Sequence, residues 1–219
     1  MIFNLPNTLT IIRLIAAPVV PLVFLFVTRP YADWIALVLF AGASATDWFD
    51  GYLARRWQQM TKIGTMLDPI ADKAMVVSAL VALAALFGIT FWILVPAAVI
   101  LFRETFVSGL REYLGDTAGT LKVTKLAKWK TTVQMVAISV LFANGIFEHE
   151  VGMSSFGMDG ETFYGIVSGE MEDMLGLRWK YAGFLWSYNI GIVLLWLAAL
   201  LTLVTGWDYF RKATPHLKD

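Results

Sequence analysis

Long apolar stretches, separated by short polar segments, run along this chain and exceed what a soluble core helix needs. Their lengths predict six membrane-spanning helices. The stretches cover residues 11–28, 33–56, 66–88, 91–113, 130–147 and 182–206. Before the first, Asn7 and Thr8 follow Pro6 in a helix-start pattern that predicts a short N-terminal interfacial helix. The pattern predicts an all-α polytopic membrane protein, with residues 1–219 forming a single domain.

Basic and acidic residues balance at 17 each, so only their distribution can orient the chain. If the N-terminus is inside, ten basic residues lie on the inner side, and Arg29, Arg178 and Lys180 lie outside. The inner ones are Arg55, Arg56, Lys62, Lys122, Lys125, Lys128, Lys130, Arg211, Lys212 and Lys218. The positive-inside rule therefore predicts that both termini and the aspartates of the turn between the second and third stretches lie in the cytoplasm. A bacterial inner membrane is the expected location.

Residues 148–180 would then form an extracytoplasmic loop insertion rich in Glu, Gly and Met. A short interfacial helix is expected within it, with no part in catalysis. Trp34, Trp92, Trp179 and Trp207 lie near the ends of the apolar stretches, as aromatic belts do, although plain packing would explain each one equally well. The chain has no Cys, so the redox compartment stays undetermined.

Four carboxylates surround the polar turn between the second and third stretches. Asp47 and Asp50 fall on one face of the first helix. In the next helix Gly64, Asp68 and Asp72 follow a spacing of four, which sets the two carboxylates about 6 Å apart along one face. We expect this face to look toward the Asp47/Asp50 face, so that the four carboxylates converge.

Carboxylates this close repel one another, and each costs roughly 2.5–3.5 kcal/mol near hydrocarbon. A cation would offset both costs, and oxygen ligands with no His or Cys nearby favour Mg²⁺ or Mn²⁺ over zinc. Gly51 costs about 1 kcal/mol relative to Ala in a helix, which suits a ligand pressed against bare backbone. The alternative is ordinary charges at membrane-helix ends, with Arg55 and Arg56 as anchors.

The whole constellation resembles the complete motif of the CDP-alcohol phosphotransferases, which are integral membrane enzymes. Such enzymes join an alcohol to the phosphatidyl group of a CDP-linked donor and release CMP. The resemblance implies two divalent ions, a homodimer embedded among membrane lipids, and no nucleic-acid partner. The matching pattern is Asp47-x2-Asp50-Gly51-x2-Ala54-Arg55-x8-Gly64-x3-Asp68-x3-Asp72.

The resemblance also implies a role for each motif position. Asp72, the last carboxylate, would be the catalytic base. The metal ligands would be Asp47, Asp50, Asp68 and Asp72, and the CDP-binding residues would be Asp47, Asp50, Gly51, Ala54, Arg55, Gly64 and Asp68.

A second group of charges lies in the fourth stretch and in the polar segment after it. Arg103 and Arg111 are eight residues apart, close to one helical face, and Glu104 is an expected partner for one of them. The segment that follows has four Lys residues in nine, including Lys128 and Lys130. Such a cluster binds anionic headgroups or a phosphate-bearing substrate, while self-paired structural charges are the alternative.

Segments of this second group resemble the phosphatidylglycerophosphate synthase branch of the family. The branch implies CDP-diacylglycerol as donor and sn-glycerol 3-phosphate as acceptor, giving phosphatidylglycerophosphate and CMP. The acceptor's phosphate would be held by Arg103, Arg111, Lys128 and Lys130. Ala127 departs from the branch pattern, where Gly is expected.

Asn7, Thr10 and Arg13 also resemble the branch, although Arg13 is equally able to extend to the headgroups. Two rival functions stay open. One is the same chemistry with another acceptor, such as inositol phosphate or serine. The other is a divalent-cation transporter, since Asp residues on facing membrane helices can form an ion path.

Overall fold

The structure, a computed structural model, describes residues 5–57, 61–120 and 125–217, without the side chains of 5, 6, 47–57, 116, 120 and 125. The described chain is helical and contains no strand, which confirms the all-α prediction. The helices are α1 (Leu5–Phe26), α2 (Tyr31–Trp57), α3 (Lys62–Leu86), α4 (Phe91–Leu114), α5 (Lys125–Ser154), α6 (Gly160–Ser168) and α7 (Leu177–Ala213). One 3-10 turn, Gly115–Thr120, follows α4, and another, Thr214–His216, follows α7.

Five helical segments of the described chain are long and apolar enough to cross a membrane. They are Asn7–Phe26, Lys62–Leu86, Phe91–Leu114, Leu126–Ser154 and Leu177–His216. In α2 the described apolar part, Tyr31–Thr46, is shorter than a span requires. The protein is therefore a polytopic helical membrane protein, and the predicted count of six spans is not confirmed.

The helix ends differ most from the predicted ends in the first, fifth and last spans. α1 is continuous from Leu5 to Phe26, so the expected interfacial segment is the beginning of this helix and no break separates the two. Pro18 and Pro21 lie within α1, as membrane helices tolerate. α7 runs for 37 residues, well beyond the predicted 182–206.

The chain divides into two compact units, whose boundaries fall inside α3, α5 and α7. The first unit comprises Met1–Ala79 and Ser139–Gly191, and the second comprises Leu80–Ile138 and Ile192–Asp219. The prediction of a single domain is not tested by this division.

In the first unit, aromatic rings and bare backbone let the helices pack closely. Phe142 on α5 stacks on Phe24 of α1 at 6.4 Å and lies 6.1 Å from Phe40 of α2. Gly183 on α7 leaves room for the Phe147 ring, since an added Cβ would lie 2.5 Å from it. Small residues thus permit close approach of α5 and α7 where no hydrophobic effect favours helix association.

In the second unit, α4 and the end of α7 meet through aromatic side chains. Trp196 donates from Nε1 to the Trp92 carbonyl at 3.0 Å, and Phe91 packs on Trp196 at 5.5 Å. Farther along the same helices, Phe106 contacts Phe210 at 5.8 Å. These contacts align α4 and α7 within the unit, where the sequence places Arg103 and Arg111.

The predicted loop at residues 148–180 is largely helical, which corrects the expected bounds. α5 continues to Ser154, α6 covers Gly160–Ser168 and α7 begins at Leu177. Asp159 caps α6 by accepting the Thr162 N–H at 2.8 Å, and Asp173 accepts the Leu177 N–H at 2.7 Å. Caps of this kind satisfy the free N–H groups of a helix end, so local capping fixes this connection. The expected short helix is confirmed as α6.

Candidate active site

The first half of α1 carries three buried polar side chains on one face, spaced three residues apart. Asn7, Thr10 and Arg13 are 3%, 2% and 3% exposed. Buried polar groups inside a membrane helix cost free energy unless they are paired. Each of the three forms a hydrogen bond with a residue of α3 or with Thr61, the residue directly before α3.

Arg13 forms an ion pair with Asp72. Its Nη1 donates to Asp72 Oδ1 at 2.6 Å. The Arg13 side chain is 2% exposed, whereas that of Asp72 is 39% exposed. Of the two interpretations of Arg13, the structure therefore supports the one in which it faces the carboxylates. A charge-assisted hydrogen bond of this length fixes the orientation of the Asp72 carboxylate.

Thr10 makes the equivalent contact one turn earlier. Its hydroxyl donates to Asp68 Oδ1 at 2.6 Å, a short bond typical of a charged acceptor. A carboxylate offers about four lone-pair positions, so this bond leaves acceptor capacity on Asp68. Asp68 and Asp72 lie on one face of α3, as their spacing predicts, and α1 contacts both of them.

Asn7 contacts the start of α3. Its amide donates to the Thr61 hydroxyl at 2.8 Å, and Thr61 Oγ1 accepts the Gly64 N–H at 3.1 Å, which caps the helix. A Cβ added to Gly64 would overlap the Asn7 side-chain oxygen. Gly64 therefore has a packing function, because only a bare backbone lets Asn7 approach α3 here.

The other motif residues belong to the last turns of α2, and their side chains lie outside the described residues. These are Asp47, Asp50, Gly51, Ala54 and Arg55. Among the side chains that are described, no group of three or more His, Cys, Asp or Glu could hold a metal ion. The structure thus brings Asp68 and Asp72 together and does not show a metal site.

In the second unit, one carboxylate pairs with two cations from different helices. Glu104 lies 3.2 Å from Arg103 Nη1 and also accepts a hydrogen bond from Lys130 Nζ on α5. Lys130 is buried, and the Arg103 and Glu104 side chains are 15% and 18% exposed. The expected partnership of Glu104 with an arginine is confirmed, and the trio retains one net positive charge.

Two residues of α7 contact the arginines of α4. The Thr205 hydroxyl lies 3.4 Å from Arg103 Nη2, and the Arg111 guanidinium lies over the Tyr209 ring, 5.2 Å from its centroid. Lys128, the fourth predicted phosphate ligand, is exposed near the start of α5. Arg103 and Lys130 thus meet at Glu104, while Arg111 and Lys128 are exposed.

The sequence did not predict the contacts of three residues, Thr61, Thr205 and Tyr209. Thr61 follows an ordinary helix-start pattern, a Thr directly before the helix, which could have indicated its capping function. Thr205 and Tyr209 carry no local signal, because their partners are about a hundred residues earlier in the chain.

The chain is similar to known proteins over a range that contains most of these residues. The family model described as CDP-alcohol phosphatidyltransferase matches residues 3–204, nearly the whole chain. The chain belongs to the CDP-alcohol phosphatidyltransferase family. Enzymes of this family generally use divalent cations. The matched range includes the α1 and α3 contacts and all the charged residues of α4 and α5.

Relatives similar over their full length share one name, CDP-diacylglycerol–glycerol-3-phosphate 3-phosphatidyltransferase. The protein from Cereibacter sphaeroides is 53% identical over 219 residues, covering 100% of this chain and 99% of the relative. The protein from Rickettsia bellii is 36% identical, covering 97% of each chain. That from Haemophilus influenzae is 34% identical, covering 100% of this chain and 98% of its own.

Proposed function

We propose that this membrane enzyme transfers the phosphatidyl group of CDP-diacylglycerol to sn-glycerol 3-phosphate, giving phosphatidylglycerophosphate and CMP. The observation that carries the proposal is the 53% identity, over the full chain, to a relative named for this reaction. The pairing of α1 with Asp68 and Asp72 supports it, because the carboxylates expected to do the chemistry are held in fixed orientations.

The donor half of the reaction uses the motif on α2 and α3. Asp47, Asp50, Asp68 and Asp72 would hold two Mg²⁺ or Mn²⁺ ions. The described members fit such ions, since both are oxygen donors with acceptor capacity left. When bound, the ions neutralise charge on the donor pyrophosphate and on the departing CMP. The cytidine and its phosphates would be bound by Gly51, Ala54, Arg55 and Gly64, with Asp47, Asp50 and Asp68.

Asp72 acts as the general base. A hydroxyl oxygen of the acceptor attacks the phosphorus that carries the diacylglycerol, and the proton of that hydroxyl moves to Asp72. The bond from this phosphorus to the bridging oxygen breaks, and CMP leaves with the electron pair. Asp72 is suited to this task because its side chain is 39% exposed while buried Arg13 fixes its orientation.

The acceptor half requires positive charge for a phosphate monoester. Arg103, Arg111, Lys128 and Lys130 would supply it. Glu104 reduces the charge of the Arg103 and Lys130 pair, so exposed Arg111 is expected to make the largest individual contribution to phosphate affinity. A neutral or zwitterionic acceptor would gain nothing from this group.

The charge distribution supports a cytoplasmic orientation of the site. The enzyme is a multi-pass protein of the bacterial inner membrane, with the site at the cytoplasmic face and residues 148–180 on the opposite side. Residues 1–219 act as one domain, and the active form is a homodimer.

The test is CMP release by the purified protein in detergent with CDP-diacylglycerol and Mg²⁺. Glycerol 3-phosphate, inositol phosphate, serine or no acceptor would be offered in parallel. Release that requires glycerol 3-phosphate is the expected result. Release with a different acceptor would overturn the acceptor assignment and leave the donor half intact. No release with any acceptor would overturn the reaction and favour the transporter, because detergent removes any membrane gradient.

A further inference from the structure

A stripe of polar side chains along α7 is buried although the helix is apolar enough to span a membrane. Thr202, Thr205 and Tyr209 are 0%, 4% and 6% exposed, and their spacing of three and then four places them on one helical face. These residues share one face of α7, and the Thr205 hydroxyl also donates to the Leu201 carbonyl of its own helix at 2.8 Å.

Within the second unit this stripe faces the arginines of α4. Thr205 contacts Arg103 Nη2 at 3.4 Å, and the next residue, Gly206, leaves room for the Arg103 stem, since an added Cβ would lie 2.9 Å from Arg103 Cγ. One turn farther on, the Tyr209 ring lies beneath the Arg111 guanidinium. The α7 stripe therefore supports both arginines on the helix where a phosphate site is proposed.

Tyr209 and Arg111 differ in exposure in a way that suits ligand binding. Tyr209 is buried, whereas Arg111 is exposed. The ring attracts the guanidinium through its quadrupole and restricts a side chain that otherwise samples many rotamers. A guanidinium resting on a fixed ring keeps its N–H groups available at its edge, so less entropy is lost when a phosphate binds.

The hydroxyl group of Tyr209 does not explain why an aromatic residue lies at this position. Its oxygen is buried and has no hydrogen-bond partner among the described residues. A buried hydroxyl without a hydrogen bond costs free energy, so replacing it by hydrogen should not destabilise the protein. The aromatic face is thus the part of Tyr209 that acts, and Phe should substitute for it where an aliphatic residue should not.

We propose that Tyr209 is a positioning residue of the acceptor-phosphate site, which supports Arg111 from beneath by a cation–π contact. The proposal rests on the proposed function, because it takes Arg111 as a ligand of the glycerol 3-phosphate group. Tyr209 itself does not touch the acceptor.

The test compares steady-state kinetics of Tyr209→Leu and Tyr209→Phe in the full-length protein in detergent. Tyr209→Leu should raise the KM for glycerol 3-phosphate by about three- to tenfold, while kcat and the KM for CDP-diacylglycerol stay within about twofold. Tyr209→Phe should leave all three within about twofold. Phe210→Leu is the matched control, since this neighbouring α7 ring packs against Phe106 and Trp207.

A double-mutant cycle with Arg111→Gln separates positioning from general damage to the fold. If the ring acts through Arg111, adding Tyr209→Leu to Arg111→Gln should not raise the KM for glycerol 3-phosphate by more than about twofold. Additive effects, equal losses for both substrates, or a Phe variant as impaired as the Leu variant would each overturn the proposal. If Arg111→Gln alone leaves this KM unchanged, the acceptor assignment of the proposed function fails instead.

Discussion

Two arginine–aspartate pairs in the first unit have the same chemistry and opposite burial. In the pair between α1 and α3, Arg13 is buried and Asp72 is 39% exposed. In the pair at the start of α2, Asp33 is 1% exposed and Arg29 is 36% exposed. The carboxylate is therefore accessible in one pair and enclosed in the other.

The enclosed pair has the features of a structural element. Arg29 donates twice to Asp33, at 2.9 and 3.2 Å, and also contacts Glu148 at 2.9 Å. Burial alone would lower the pKa of Arg29, but the hydrogen bond and charge of Asp33, with Glu148 adding, outweigh it and raise that pKa. A Cβ added to Gly145 would overlap Asp33. Asp33 thus packs directly against the α5 backbone.

Ion pairing alone therefore does not identify a functional carboxylate. Asp72 combines a buried, orienting cation with a side chain that is 39% exposed, and a base must be accessible to its substrate. Asp33 lacks the second property. Substitutions in the two pairs should therefore affect different quantities.

The largest stability effect is expected for Arg29→Gln, because it leaves the buried Asp33 without its charge partner. The free energy of unfolding should fall by about 2–3 kcal/mol, less than for a fully buried pair, since Arg29 is partly exposed. Denaturation in detergent measures this, and kcat per folded molecule should not change. Glu148→Gln is the control, and its cost should stay below about 1 kcal/mol because Glu148 is 55% exposed. Equal costs for the two variants would contradict a structural role centred on Asp33.

Arg13→Gln should show the reverse pattern, a small loss of stability and a large loss of rate. Water can hydrate the accessible Asp72 carboxylate, so the stability loss should be smaller than for Arg29→Gln. The rate of CMP release should fall about 10- to 100-fold, because the orientation of Asp72 is lost. Arg13→Lys should recover part of the rate. A variant with reduced stability and an unchanged rate would show that this pair, too, is structural.

Glycines near the two ion pairs should also differ in the stability cost of an added methyl group. Gly64→Ala should cost about 1–3 kcal/mol through overlap with Asn7, and Asn7→Ala in the same chain should relieve most of it. Gly145→Ala should cost at least as much, with no such relief, since its overlap is with the buried Asp33. Gly42→Ala is the control; nothing lies within 4 Å of its added Cβ, and Ala favours a helix by up to about 1 kcal/mol. Thermal unfolding of the four variants measures these costs. A different ranking of their Tm values would contradict the expected overlaps.

The smallest effect is expected at a carboxylate outside both pairs. Asp173 accepts the Arg178 and Leu177 N–H groups at the start of α7, and chiefly the Arg178 bond lowers the pKa of Asp173. A lowered folded-state pKa stabilises the protein above the unfolded pKa, and this stability is lost as the pH falls through the folded value. Asp173→Asn should lower Tm slightly at pH 7, by no more than about 2 °C, and leave it unchanged at a pH below the folded pKa. A Tm difference that persists in acid would contradict the charged cap.

Much of the fold could be predicted because apolar length alone specifies membrane helices. The four-residue spacing of Asp68 and Asp72 likewise placed both carboxylates on one face. The connection after α5 was predicted less well, because capping by Asp159 and Asp173 stabilises helix ends within a composition that resembles a loop.

The site was predictable where local spacing determines it and unpredictable where distant contacts do. Hydropathy could not decide whether Arg13 faces lipid headgroups or Asp72, since either direction suits a charged residue near a helix end. Tyr209 gave no signal at all, because only the packing of α7 against α4 brings it to Arg111.

The most direct test compares Asp72→Asn with Asp33→Asn in one assay of CMP release with CDP-diacylglycerol, glycerol 3-phosphate and Mg²⁺, normalised to folded protein. Asp72→Asn should lose at least about 100-fold in kcat per folded molecule, with some loss of stability because buried Arg13 loses its charge partner. Asp33→Asn should lose stability and keep its kcat per folded molecule. A rate that survives in Asp72→Asn, or that falls equally in both variants, would contradict the assignment of Asp72 as the base.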